Sequence, residues 1–94
     1  MYFTWDDSKS RSNRAKHRIS FEIATLVFED PHALSVFDRL VDGEERWHTI
    51  GLAGGIAVVL VVHTWRDQAG EEGIRIISAR KATLRERNLY EEAL

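Results

Sequence analysis

The run Ile74-Arg75-Ile76-Ile77-Ser78-Ala79-Arg80-Lys81-Ala82 reads as a strand that ends in cations and leads almost directly into a helix. Three isoleucines in four positions favour a strand, and Gly73 marks its start. Strict alternation predicts Ile74, Ile76, Ser78 and Arg80 on one face and Arg75, Ile77 and Ala79 on the other. A buried strand accounts for the isoleucines but not for Arg75. Arginine is rarely buried without a partner, so Arg75 either pairs with a carboxylate such as Glu45 or faces a polar site.

The segments on either side complete the frame. Downstream, Thr83-Leu84-Arg85-Glu86 fits a capping box, with Thr83 at the N-cap and Glu86 three residues on. The helix it opens has Leu89, Tyr90, Ala93 and Leu94 available for packing. Upstream, residues 67–73 form a polar loop with two glycines, and residues 56–65 are the most apolar stretch, hence a central strand. Gly54-Gly55 and Asp42-Gly43 supply turns that join it to strands at 46–52 and 33–40. Short polar connections make this an antiparallel meander.

The first third of the chain has the helical period. Residues 2–5 are able to form a short opening strand. Asp6 suits an N-cap and Asp7 suits the helix dipole. The helix from 7 to about 17 has Ala15 as its only aliphatic residue and must lie on the surface, held by Trp5 and Ile19. Ser20 caps a second helix, 21–28, with Phe21, Ala24, Val27 and Phe28 inward. Asp30-Pro31 ends it, because proline disfavours helical geometry in the residue before it. The expected fold is α+β: two N-terminal helices, a four-stranded antiparallel sheet and a closing C-terminal helix, all in one domain spanning 1–94.

Composition limits the function. Ninety-four residues with 44% hydrophobic and 30% charged side chains describe an ordinary globular chain. The absence of cysteine excludes disulfides and thiolate metal sites and fits a cytoplasmic location. Asp6 and Asp7 directly after Trp5 do not fit a signal peptide, and 56–62 is too short to span a bilayer, so no membrane role is expected. The formal charge of −2 argues against coating nucleic acid by bulk electrostatics. The charges are segregated, however. Lys9, Arg11, Arg14, Lys16 and Arg18 crowd one segment, Arg75, Arg80, Lys81, Arg85 and Arg87 crowd the end, and acids fill the middle. Such segregation allows a basic surface on a near-neutral molecule without establishing one, because a basic helix face is most often simply solvated.

No metal motif, phosphate loop or Ser-His-Asp signature is present, and no cofactor is expected. Cations, histidines and scattered carboxylates remain, an inventory suited to phosphodiester chemistry without metal: arginines hold the phosphate while a base and an acid handle the 2′-hydroxyl and the leaving oxygen. Arg75, Arg80 and Lys81 are candidates, each with an ion pair or a solvated edge as the structural alternative. His63 is a candidate proton carrier, with a half-buried structural histidine as its alternative. Arg46 and Arg85 are candidates for binding the strand. Glu86 reads as a cap before it reads as a base.

Two blocks carry a family resemblance. Trp5-Asp6, Lys9, Asn13, Lys16-His17, Ile19, Phe21, Ala24 and Val27-Phe28 follow a recurring pattern, and Glu45-Arg46, Ile50-Gly51 and the block from Arg75 to Ala82, with Glu86 and Tyr90, follow in order. The chain resembles the BrnT family of toxins from bacterial type II toxin–antitoxin pairs. The resemblance implies a RelE-like fold, metal-free RNA cleavage that blocks translation, and neutralisation by a BrnA-like ribbon-helix-helix antitoxin. Operator DNA would be contacted only through that antitoxin. Carried onto this sequence, it implies Arg46, Arg75, Arg80 and Lys81 as the residues serving RNA. One departure is Arg18, where the family pattern often has glycine. A reading of another class stands beside this one: a non-catalytic antitoxin-binding module or co-repressor of its own operon.

Overall fold

The computed structural model describes residues 1–94. Its most apolar strand, β4 (Ala57–Trp65), lies at the centre of a five-stranded sheet. It is flanked by β3 (Glu44–Ala53) and β5 (Gly73–Lys81), with β2 (Leu34–Val41) at one edge and β1 (Tyr2–Thr4) at the other. From β2 to β5 the neighbours are antiparallel, as the turn chemistry requires. The sheet is nonetheless five-stranded and mixed, not a four-stranded antiparallel one. The opening segment Tyr2–Thr4 pairs in parallel with β5, Tyr2 opposite Gly73 and Thr4 opposite Arg75. Gly73 makes room for it: a Cβ there would lie 2.0 Å from the Arg66 carbonyl oxygen and 2.2 Å from the Tyr2 ring.

Three helices join the sheet: α1 (Asp7–His17), α2 (Phe21–Thr25) and α3 (Leu84–Glu92). The expected second helix is shorter than 21–28, because the chain tightens into a 3-10 turn over Leu26–Glu29 before Pro31. The caps follow the sequence: Asp6 accepts from the Lys9 amide, Ser20 from the Ile23 amide, and Thr83 with Glu86 closes a full capping box. Arg18 ends α1 in the left-handed region (φ 61°), a conformation that costs a non-glycine residue about 1 kcal/mol.

Polar side chains rather than an apolar stripe fasten α1. The Asn13 amide donates to the Ala79 carbonyl at 2.7 Å and accepts from its N–H at 3.1 Å. It thus satisfies backbone groups on the edge of β5 that the three-residue β1 does not reach. The Ser10 hydroxyl accepts from the Phe21 amide.

The two faces of the sheet differ. One packs Val59, Val61, Ile74, Ile76 and Ala79 against Ile19, Phe21, Ala24 and Val27 in the main core. The other carries a smaller cluster of Ile50 and Leu60 under Tyr90 of α3. At the edge the two layers are tied by Asp30, whose carboxylate accepts from the Leu52 amide (2.8 Å) and from the Tyr90 hydroxyl (2.5 Å). Gly51 permits this crossing: a Cβ there would lie 3.1–3.2 Å from Val27, Ala33 and Asp30.

Strict alternation fails in β5. Val62 pairs with Ser78 but His63 pairs with Ile76, so Ile77 is the extra residue of a β-bulge. Ile74, Ile76 and Ala79 consequently share the core face, while Arg75, Ser78 and Arg80 lie on the α3 side. A second bulge, at Asp38 in β2, brings Arg39 opposite Arg46 on the same side.

Candidate active site

The α3 side of the sheet is covered by α3 only towards the ends of β4 and β5 that hold Leu60 and Arg80. Beyond the helix, cross-strand register builds a row. Arg39 of β2 is opposite Arg46 of β3, and Arg46 is one step past the paired residues Trp47 and His63, which places it beside Thr64. Thr64 is opposite Arg75 of β5, and Arg75 is opposite Thr4 of β1. Three guanidinium groups and two hydroxyls therefore line one level across all five strands. The next level holds Val36, His48, Val62 and Ser78.

The electrostatics of this row are unbalanced. Arg39 is bonded to Asp38 at 2.9 Å, but Arg46 and Arg75 form no ion pair. Like charges directly opposite on a sheet, as Arg39 and Arg46 are, destabilise it. Arg46 Nε is buried with no hydrogen-bond partner, and so is the hydroxyl of Thr64. Buried donors left unmade each cost on the order of 1–3 kcal/mol. Arg46 and Arg75 are thus two cations without a carboxylate partner, on either side of a threonine whose hydroxyl also has none.

Arg75 thus faces this polar row and does not pair with Glu45, whose carboxylate instead accepts from the Trp47 indole N–H. Arg80 joins Arg75 on the same side because of the bulge. Its guanidinium is committed to Glu86 in a two-pronged bond of 2.7 and 2.9 Å. That bond, with the Thr83 amide, pulls the Glu86 carboxyl down to about 2 and raises Arg80 in turn. Glu86 is consequently a poor proton acceptor near neutrality, and its capping role is the one its contacts display. Lys81 is opposite Val59, a residue of the main core, so register turns it to the other side of the sheet, where it is exposed. Arg85 is exposed on α3 beside Leu84, Asn88 and Leu89.

His63 is not half-buried but fully buried, on the main-core face. Its Nε2 lies 2.6 Å from the Thr49 hydroxyl, and its ring sits edge-on to Phe28 and Trp65, with centroids 5.0 and 4.9 Å away. Burial lowers its pKa to about 4, so the ring is neutral near pH 7. The imidazole on the arginine side is His48, which the sequence reading passed over. It is partly exposed, with Nε2 3.4 Å from Asp38. No local signal marks it; only the register puts it one level from Arg46.

Residues 5–86 match the family described as the ribonuclease toxin, BrnT, of type II toxin–antitoxin systems. Among solved structures, the chain is similar to the crystal structure of the Brucella abortus ribonuclease toxin, BrnT. The two are 26% identical, with a TM-score of 0.64, over 88% of this chain and 97% of the other. No curated protein matches the chain.

Proposed function

The chain belongs to the BrnT family of type II toxin–antitoxin ribonucleases, and from that premise we propose that it is a metal-independent endoribonuclease working on the arginine side of its sheet. The observation that carries this reading is the row of Arg46, Thr64 and Arg75, with buried donors that have no partner. In the reaction the ribose 2′-oxygen attacks phosphorus and the 5′-oxygen leaves, giving a 2′,3′-cyclic phosphate. One proton passes from the 2′-hydroxyl to a base and another reaches the leaving oxygen. Arg46 and Arg75 would hold the phosphate and the charge that grows on its oxygens, a role that preorganised cations fill without a metal. Arg80 would contribute by exchanging one arm from Glu86 to the phosphate. Lys81 and Arg85 fit the path of the strand better than its cleavage point, given where the fold puts them. His63 would need a rearrangement to meet a substrate, whereas His48 already stands on this side.

The rest of the proposal draws on what the family resemblance implies. Residues 1–94 act as one RelE-like toxin domain in the cytoplasm, inhibit translation, and are neutralised by a BrnA-like ribbon-helix-helix antitoxin that alone contacts operator DNA. The competing reading, a binding module without activity, draws on exposed apolar side chains such as Phe37, Leu40 and Leu84. Cleavage of an end-labelled RNA in EDTA separates them. Wild type is expected to leave 2′,3′-cyclic ends, and Arg75→Ala to lose about 100-fold or more in rate. Inactive wild type, on free RNA and on translating ribosomes alike, overturns the enzymatic reading.

A further inference from the structure

A cleft of about 280 Å³ opens where β1 meets β5, lined by Thr4, Trp5, Asp6, Arg66 and Arg75. Arg75 is therefore shared between the arginine row and this cleft. We propose that the cleft is a nucleotide subsite, which holds one unpaired nucleotide of the RNA next to the cleaved phosphate with its base against Trp5. This rests on the ribonuclease reading and adds the class of strand that the site accepts: single-stranded RNA with a base turned out.

The chemistry of the walls favours a nucleotide over a bare anion. Arg66 and Arg75 supply two cations for the phosphate. Arg66 gives one nitrogen, Nη2, to Glu44 at 2.7 Å, and its Nε and Nη1 make no bond. Trp5 meets Phe21 in a T-shaped contact, with ring centroids 6.2 Å apart, and also lines the cleft, so it offers a fixed aromatic group there. Stacking on such a group is how proteins hold unpaired bases whatever their sequence. Asp6 adds what no phosphate site needs, a carboxylate. Its Oδ1 accepts from the Ser8 hydroxyl (2.6 Å) and the Lys9 amide (3.1 Å), which fixes the group and leaves Oδ2 for a donor. A ribose hydroxyl or a base amino group is such a donor.

The walls are also rigid. The Arg66 amide donates to the Gly73 carbonyl at 2.7 Å, and the Tyr2 hydroxyl donates to the Arg66 carbonyl at 2.8 Å. Parallel pairing of Thr4 with Arg75 fixes the remaining side. The unexpected first strand thus has a use: it builds one wall of the subsite.

The test is a titration of the full chain with the four nucleoside 3′-monophosphates, and with inorganic phosphate as control, followed by ¹H–¹⁵N spectra. The Trp5 indole N–H should shift saturably with nucleotides and stay in place with phosphate alone. Arg66→Ala should weaken binding by about tenfold or more, the worth of a hydrogen bond to a charged group. Thr4→Phe, which fills the cleft from an exposed position, should abolish the shift while the other two indole signals keep their places. An unmoved Trp5, an equal shift with phosphate, or undiminished binding by Thr4→Phe overturns the subsite. RNA cleavage is followed on the same samples. Cleavage without a Trp5 response overturns the subsite alone, and a Trp5 response without cleavage, on free RNA and on translating ribosomes alike, overturns the ribonuclease reading and leaves the cleft as a nucleotide-binding site only.

Discussion

Burying a neutral imidazole ties stability to pH. His63 has a folded pKa of about 4 against an ordinary value of 6.5. Because the folded value is depressed, the unfolded chain takes up the proton first as pH falls. The contribution of His63 is complete above 6.5 and is lost between 6.5 and about 4. That interval corresponds to about 3 kcal/mol at most. Glu86 and Asp30 are also depressed, but from ordinary carboxyl values, so their losses come lower. Denaturant unfolding measured from pH 7.5 to 4.5 should therefore show a decline that His63→Phe, a substitution suited to the ring cluster of Phe28 and Trp65, largely removes. An equal decline in the variant would mean that another group carries it. The same burial explains why the histidine that closes the apolar strand looked eligible for catalysis in the sequence. Composition shows an ionisable ring in an apolar run but not the layers that cover it.

At the level of elements, local chemistry and the meander from β2 to β5 are legible in the sequence, whereas the long-range parallel pairing of β1 and the bulges are not. The caps at Asp6, Ser20 and Thr83 rest on chemistry within four residues, and the central position of β4 rests on its composition. The partner of Tyr2–Thr4 lies some seventy residues away, and three residues carry too little pattern to show it. The bulges are invisible for a similar reason: alternation assigns faces, and only the ladder shows where a residue has been added. That addition decides the site. Alternation puts Arg75 and Arg80 on opposite faces, whereas the bulge at Ile77 puts both on the arginine side. Deleting Ile77 should turn the bulge into regular pairing and leave Arg75, Ser78 and Arg80 on the arginine side, because 74, 76, 79 and 81 then alternate with 75, 78 and 80. The expected result is a deletion variant, folded by circular dichroism, whose RNA cleavage stays far closer to wild type than to Arg75→Ala. A folded deletion variant as inactive as Arg75→Ala would mean that the local bend of the bulge, and not only the face it assigns, shapes the site.

For the whole molecule, the question is how a chain with a formal charge of −2 binds a polyanion. Two basic regions are available. One is the compact arginine side, with Arg39, Arg46, Arg66 and Arg75. The other is the exposed face of α1, with Lys9, Arg11, Arg14 and Lys16. Salt dependence separates them, because each phosphate neutralised on a single strand contributes about −0.7 to the slope of log K against log salt. Arg39 is already paired with Asp38, and Arg66 shares its charge with Glu44 through one nitrogen, so the compact site should neutralise only two or three phosphates. A slope of about −1.4 to −2.1 is then expected for a short single-stranded RNA. A strand that also ran along α1 would add up to four phosphates and steepen the slope to about −4 or beyond. The double substitution Lys9→Glu, Arg11→Glu decides which region is in use. It should leave the slope unchanged if binding is confined to the sheet, since the acids beside α1 are then remote from the strand. A slope shallower by about 1.4 in that variant would place two phosphate contacts on the helix that Asn13 holds against β5, and make its cations part of substrate binding.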